Sequence, residues 1–419
     1  MPTWELAVGS TSGSSSFSTT NRFPAVAGFL TPSLTESGAQ LKVFSTYTWA
    51  NFYVRCLTWL TANHVLRSRV GGLNGNMTVT VTGTGVFQDT INTDSLVSGN
   101  LINYIAESSS GAKTYGMWGS TLQDTGTNAI VQMANQQSNA GTSITFGITR
   151  FGPIAGRLIG TAMATTETDV QYTIRRATTY TNLRVSVRSN TFDGATTWAF
   201  RVDAGAGAQS VSIAGGTTGA FEDTTNSDVV AAASEVNHSI NTTASTLGVI
   251  FMGLAQVAHI STSRETATAI PIGGSNASDR YYGAEADGTS TVTESDSQIA
   301  ARAAFIASSL FVNITAHGAS SGVNYFLRQN TGNSALTVNV PASETGLFEN
   351  TADSVSIAVA DVYNYFQDHG GGAGGITPTI IGMAQGPTDA ISGGGKGYPG
   401  QMHNRRPRSR IVGRGLKVL

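Results

Sequence analysis

The sequence predicts an all-β protein of three tandem homologous antiparallel β-sandwich (jelly-roll-like) domains, with an N-terminal arm and a basic C-terminal tail. Three observations carry that expectation. A two-part signature is written three times, its strings alternate in the manner of strands, and the length of 419 residues has room for about three domains. The first part of the signature is Thr35-Glu36 with Gln40, Thr166-Glu167 with Gln171, and Thr293-Glu294 with Gln298. The second is Gly85-Val86-Phe87-Gln88-Asp89-Thr90, Gly219-Ala220-Phe221-Glu222-Asp223-Thr224 and Gly346-Leu347-Phe348-Glu349-Asn350-Thr351. The Gln-to-Phe separations are 47, 50 and 50 residues, so the two parts keep step. A period of 127 to 134 residues is too long for a solenoid and matches a whole domain copied twice.

The elements follow in order. Residues 1–21 hold a Ser/Thr/Gly tract and are expected to form an exposed arm. The first sandwich is placed at 22–125, a connector at 126–149, the second sandwich at 150–258, a linker at 259–267, the third sandwich at 268–388 and the basic tail at 389–419. Each sandwich opens on a Pro-to-Gly element: Pro24 to Gly28, Pro153 to Gly156, and Pro271 to Gly274. Alternating runs follow at Phe52-Tyr53-Val54-Arg55, Leu183-Arg184-Val185-Ser186-Val187 and Leu310-Phe311-Val312-Asn313-Ile314, the pattern of half-buried strands. Next, an arginine stands ten residues before a valine in every copy: Arg69 and Val79, Arg201 and Val211, Arg328 and Val338. The valines lie in β-branched alternating strings, and Gly- and Asn-rich turns separate them from the arginines. Ser297 to Phe305 is rich in alanine but falls at a strand position of the repeat, and is read as strand. About eight short strands per copy favour a jelly roll over an immunoglobulin-like sandwich, whose cysteine and tryptophan pattern is missing.

Composition narrows the function. Only 12% of residues are charged, against about 25% in ordinary soluble chains, so neutral polar side chains supply the surface. Such surfaces suit subunits packed into an assembly, where desolvating ions is costly, and also suit extracellular β proteins. The single cysteine, Cys56, excludes an intrachain disulfide framework and a multi-cysteine zinc site. No signal peptide or long apolar span is visible, so synthesis in a cytoplasm, with no membrane partner, is expected. Charge is uneven. After Asp389 there is no acidic residue, while the tail carries Lys396, Arg405, Arg406, Arg408, Arg410, Arg414 and Lys417; without those seven of the 24 basic residues, 17 face 26 acidic ones, a body of −9.

Candidate chemistry is sparse. Glu36, Glu167 and Glu294 recur without a second carboxylate or a histidine in step with them, which favours a structural role: bonding the repeated Gln or a neighbouring arginine. Arg69, Arg201 and Arg328 are read as partners in a domain-internal ion pair or as donors to loop carbonyls. Phe87, Phe221 and Phe348 are read as core anchors, with the Asp or Asn two residues later shaping a turn. Calcium ligation by Asp89 and Asp223 with nearby Asp94 and Asp228 is the competing reading, weakened by Asn350 in the third copy. The histidines show no metal spacing, and no nucleophile elbow, phosphate loop or dinucleotide fingerprint is present. The expectation is a non-enzymatic protein without catalytic, cofactor or metal site. The tail, through Arg405, Arg406, Arg408, Arg410, Arg414 and Lys417, is the expected partner-docking element, with protein favoured over nucleic acid.

The order Pro-Ile-x-Gly, Thr-Glu, alternating strand, then Gly-x-Phe-x-Asp/Asn-Thr resembles β-sandwich modules of tailed-bacteriophage virion proteins. The resemblance spans Phe23 to Gln385 and is one of pattern and composition. It implies a viral structural protein of the virion, a capsid decoration or cementing subunit that contacts other virion proteins or copies of itself. Three sandwiches in one chain would then imitate a trimer over a local threefold position. The alternative is a tail-fibre or adhesin-type protein binding host surface glycans, with Trp49, Trp59, Trp118 and Trp198 as stacking faces.

Overall fold

The computed structural model describes residues 3–9, 16–17, 20–29, 33, 35–59, 62–110, 113–125, 129–136, 144–158, 163–260, 264–269, 276–284 and 290–386. These residues form an all-β structure of six largely antiparallel sheets, and no α-helix occurs among them. Three successive stretches of chain each supply two sheets.

The second stretch shows the pattern most fully. Its principal strands, in chain order, are Ala129–Gln136, Thr149–Gly152, Thr178–Asn190, Thr196–Val202, Gly205–Ile213, Gly219–Val230, Glu235–Asn241 and Val249–Ile260. Counted from one to eight, they lie in the order 1-8-3-6 in one sheet and 2-7-4-5 in the other. The third stretch repeats this order with Arg264–Ala269, Arg280–Tyr282, Phe305–His317, Val323–Gln329, Gly332–Val340, Gly346–Ile357, Val362–Asp368 and Ile376–Gly386. In the first stretch the strands are Thr3–Gly9, Tyr47–Thr58, His64–Val70, Leu73–Val81, Gly85–Asp89 continued by Asp94–Leu96, Leu101–Ala106 and Lys113–Asp124. Its second position is reduced to a single bridge from Arg22 to Ala106.

The segments placed at 1–21, 126–149 and 259–267 each contain residues of a paired strand. The residues read as an arm contain Thr3–Gly9, which pairs along Lys113–Asp124 from Thr3 opposite Gln123 to Gly9 opposite Met117. The residues read as a connector contain Ala129–Gln136, paired with Val249–Ile260, and those read as a linker reach into Arg264–Ala269, paired with Ile376–Gly386. Without these strands the eighth strand of every stretch would be a long, bare, apolar sheet edge. Trp4, Leu6 and Val8 alternate with Glu5 and Ala7, a strand signal masked by the Ser/Thr tract that follows. The Ser297 to Phe305 segment is not helical: a 3₁₀ turn at Glu294–Asp296 leads into the short strand Ile299–Ala300 and then Phe305–His317. The opening Pro271 to Gly274 element and the tail lie outside the described residues.

The third strand of each stretch carries a bulge built on a non-glycine residue in left-handed backbone: Asn51 (φ 56°), Asn182 (φ 57°) and Ser309 (φ 54°). Ladder register shifts beside Asn182 and Ser309 mark the extra residue. Short polar side chains tolerate this region best, which is why Asn and Ser occupy it.

Side chains from the two sheets of a stretch interleave. In the first, the rings of Trp49 and Phe52 lie 5.4 Å and 4.5 Å from that of Tyr104 on the facing sheet. The cores do not end within their stretches. The first takes in Leu254 and Ala258 of the second, the second takes in Phe311 and Ile380 of the third, and the third takes in Tyr53 and Met117 of the first. The three stretches therefore pack head to tail into a closed ring.

Candidate functional site

The repeated glutamate and arginine meet in every stretch. Arg69 holds Glu36 through Nε to Oε1 at 2.8 Å and Nη2 to Oε2 at 2.9 Å. Arg328 holds Glu294 the same way, at 2.6 Å and 3.2 Å. Arg201 donates from Nε and Nη2 to the two oxygens of Glu167, the second bond being 3.0 Å. The fork geometry of guanidinium and carboxylate makes this pairing strong and directional. Each Nη2 also donates to a turn carbonyl, of Gly72, Ala204 or Thr331. Those turns have positive φ at both central residues, Gly71-Gly72, Asp203-Ala204 and Asn330-Thr331, the type I′ geometry of tight hairpins. An aromatic face covers each guanidinium: Phe23 at 5.9 Å, Phe151 at 5.4 Å, and Phe366 at 5.1 Å. Both carboxylate oxygens are occupied, so the clamp fixes the Thr-Glu turn to the fourth-to-fifth-strand hairpin.

The Gly-x-Phe strings place Phe87, Phe221 and Phe348 half-buried against their own cores. Asp89 accepts from the backbone N–H of Ile91 and Asn92 through Oδ1, and from Thr78 N–H and the Asn92 amide through Oδ2. Asp223 repeats all four bonds with Thr225, Asn226 and Ser210. Burial pushes both carboxyls up, but these donors outweigh it and hold both below the usual carboxylate range. In the third copy the polarity is exchanged: Asn350 Nδ2 donates to Asp353 and to the Thr337 carbonyl, while its Oδ1 accepts from Ala352 and Asp353 N–H. Each of the Asp89 and Asp223 carboxylates, bonded to three backbone N–H groups and an amide, closes its turn.

Two of the buried histidines, His64 and His238, are held neutral. His64 contacts the Tyr115 hydroxyl at 2.5 Å and the Glu107 carbonyl at 2.7 Å, and burial pulls it down to about 4. His238 packs against Trp198 and Phe200, and burial pulls it down to about 3. The Cys56 thiol is buried and pushed up to about 11. Trp49, Trp118 and Trp198 are fully buried, which removes them as stacking faces for a glycan. Arg405, Arg406, Arg408, Arg410, Arg414, Lys417 and His403 lie outside the described residues.

The seams between stretches hold the residues that sequence reasoning missed. Tyr53, Arg184 and Phe311 occupy one structural position, paired across the third and sixth strands with Gln88, Glu222 and Glu349. At the first–second seam, Arg184 donates to the Gln40 carbonyl at 2.9 Å and to Glu222 at 3.1 Å, while Lys42 reaches Glu222 at 2.5 Å. The Gln256 amide bonds both backbone groups of Lys42, at 3.0 Å and 2.9 Å. At the second–third seam, Arg175 pairs with Glu349 at 2.5 Å and lies 5.4 Å over Phe311, which also meets the edge of Tyr172. At the third–first seam, Arg302 donates to Gln88 at 2.6 Å and lies 4.7 Å over Tyr53. Arg175 and Arg302 each stand four residues after the signature glutamine, where the first copy has Phe44. The signal was present in the signature itself: the polar residue after each repeated Phe faces the preceding stretch of the ring. No protein-family model matches the chain, and no curated protein is detectably similar to it.

Proposed function

We propose that the chain comprises three tandem homologous jelly-roll domains closed into a single-chain pseudo-trimer, acting as a non-enzymatic structural subunit of a virion. In this reading it is a capsid decoration or cementing subunit that sits over a local threefold position and contacts other virion proteins. The observation that carries it is the closed head-to-tail ring: cores and seam contacts run from first to second to third and back to first. Closed heterologous contacts of this kind are how three separate subunits form a ring, and here one chain supplies all three. The strand order 1-8-3-6 and 2-7-4-5 suits the double-Greek-key sandwich common among capsid proteins. The low charge and the neutral polar surface suit an assembled particle. The repeated Glu and Arg serve as scaffold, which leaves the non-repeated basic tail as the docking extension.

Purified capsids stripped of the protein provide the test. The proposal expects saturation at a fixed copy number per particle and greater resistance of the particle to heat. Absence of capsid binding, with binding to host cells in its place, would replace it by the adhesin reading.

A further inference from the structure

The second–third seam contains a polar cleft of about 310 Å³, whose lining includes Thr168, Asp169, Gln171 and Glu235 on one side and Asn313, Thr315 and Leu347 on the other. Both other seams put an arginine at this place. At the first–second seam Arg188 donates to the Gly38 carbonyl at 3.3 Å, and a β-carbon at position 38 would stand 2.8 Å from its Nε. At the third–first seam Arg55 faces Asp296, Nη2 to Oδ1 at 3.9 Å. Gly38, Asp169 and Asp296 correspond, each two residues beyond its clamp glutamate. Register makes Thr315 the counterpart of Arg188, and Asn313 the counterpart of Arg55. The second–third seam thus keeps the carboxylate and lacks both arginines.

Neither replacement neutralises Asp169. Asn313 donates its amide to the Thr168 carbonyl at 3.0 Å and to Thr379 at 3.2 Å, and the Thr315 hydroxyl donates to Thr377 at 3.3 Å. The Asp169 carboxylate makes no hydrogen bond or ion pair among the described residues, and burial lifts its pKa. Gln171 is only 7% exposed, lines the cleft, and its side-chain amide likewise makes no hydrogen bond among the described residues. A part-desolvated carboxylate beside an unused amide is costly until a donor arrives.

We propose that this cleft is the binding site for one arginine side chain of a partner protein, its guanidinium bonded to the Asp169 carboxylate and to the Gln171 side-chain oxygen. A planar guanidinium, weakly hydrated and rich in donors, fits this acceptor set better than an ammonium. The inference rests on seam geometry and not on the choice of lattice. Failure of capsid binding would overturn the virion reading and leave the cleft site standing.

The test uses the full chain and three probes: blocked arginine (N-acetyl-arginine amide), blocked lysine and the neutral blocked citrulline, titrated by NMR. Blocked arginine is expected to bind saturably, and citrulline roughly tenfold or more weaker. Asp169→Asn is expected to weaken the arginine probe by a similar factor. Thr315→Arg gives the third stretch the arginine that the second already holds, and is expected to abolish binding while the protein stays folded. Equal binding of arginine and citrulline, tighter binding of lysine, or unchanged binding in Asp169→Asn overturns the proposal.

Discussion

Arg302 lies 4.7 Å over the ring of Tyr53 and donates to Gln88, and this contact joins the last third of the chain to the first. It is the counterpart of Arg175 over Phe311 with Glu349. Arg302→Ala removes a cation–π contact and a charged hydrogen bond at a seam, an expected loss of about 1–3 kcal/mol. Chemical denaturation should show it, with increased amide exchange confined to residues around Tyr53 and Ile299. Unchanged exchange there would mean that the seam does not hold the ends together.

The Glu–Arg clamp predicts asymmetric costs. Arg69→Leu leaves the Glu36 carboxylate part-buried without its fork partner, and is expected to cost about 2–4 kcal/mol. The double variant Glu36→Leu with Arg69→Leu should recover a substantial part of that loss, because no unpaired charge remains. A double-mutant cycle by urea unfolding measures the coupling; additive losses would contradict the clamp.

The exchanged turn in the third stretch predicts compensation. Asn350→Asp brings a carboxylate against Asp353 and the Thr337 carbonyl, with an expected cost of about 1–3 kcal/mol. Adding Asp353→Asn recreates the Asp–Asn pairing of Asp89 with Asn92 and Asp223 with Asn226, and should restore most of the stability. A double variant no more stable than the single one would show that the exchange is incidental.

Much of the fold was legible from residues with local geometric demands. The type I′ turns, the alternating valine strings and the Phe strings announce themselves through φ preference and period-two burial, so the all-β class follows from sequence. The first strand of each stretch was hidden because its meaning is non-local: Thr3–Gly9 matters only as the cover for an edge more than a hundred residues away. The clamp was legible as a repeated Glu and a repeated Arg. The seams were not, because their chemistry changes from copy to copy. Arg184, Phe311 and Tyr53 share one position with three different side chains, so repetition, the signal that revealed the scaffold, is absent where the stretches meet.

Acid sensitivity follows from the buried histidines. His64 and His238 sit at about 4 and about 3 in the folded protein, below the unfolded value of about 6.5. Below pH 6.5 the unfolded chain therefore binds more protons than the folded one. The stability they contribute is fully present above about pH 6.5 and is lost as pH falls toward about 4 and then 3. The window corresponds to about 3 kcal/mol for His64 and about 5 kcal/mol for His238. Urea unfolding at pH 7.5, 5.5 and 4.5 should show the decline, and His238→Leu should flatten it.

Distances between equivalent sites in the three stretches distinguish a closed ring from a linear chain. Thr90, Thr224 and Thr351 are exposed and end the three repeated Phe strings. With Cys56 replaced by serine, spin labels placed in pairs at 90 and 224, 224 and 351, and 90 and 351 give three distances by pulsed electron resonance. A closed ring predicts three narrow distributions with nearly equal means. A 90-to-351 distance about twice the other two, or too broad to define, would show the stretches strung out in a line and contradict the account.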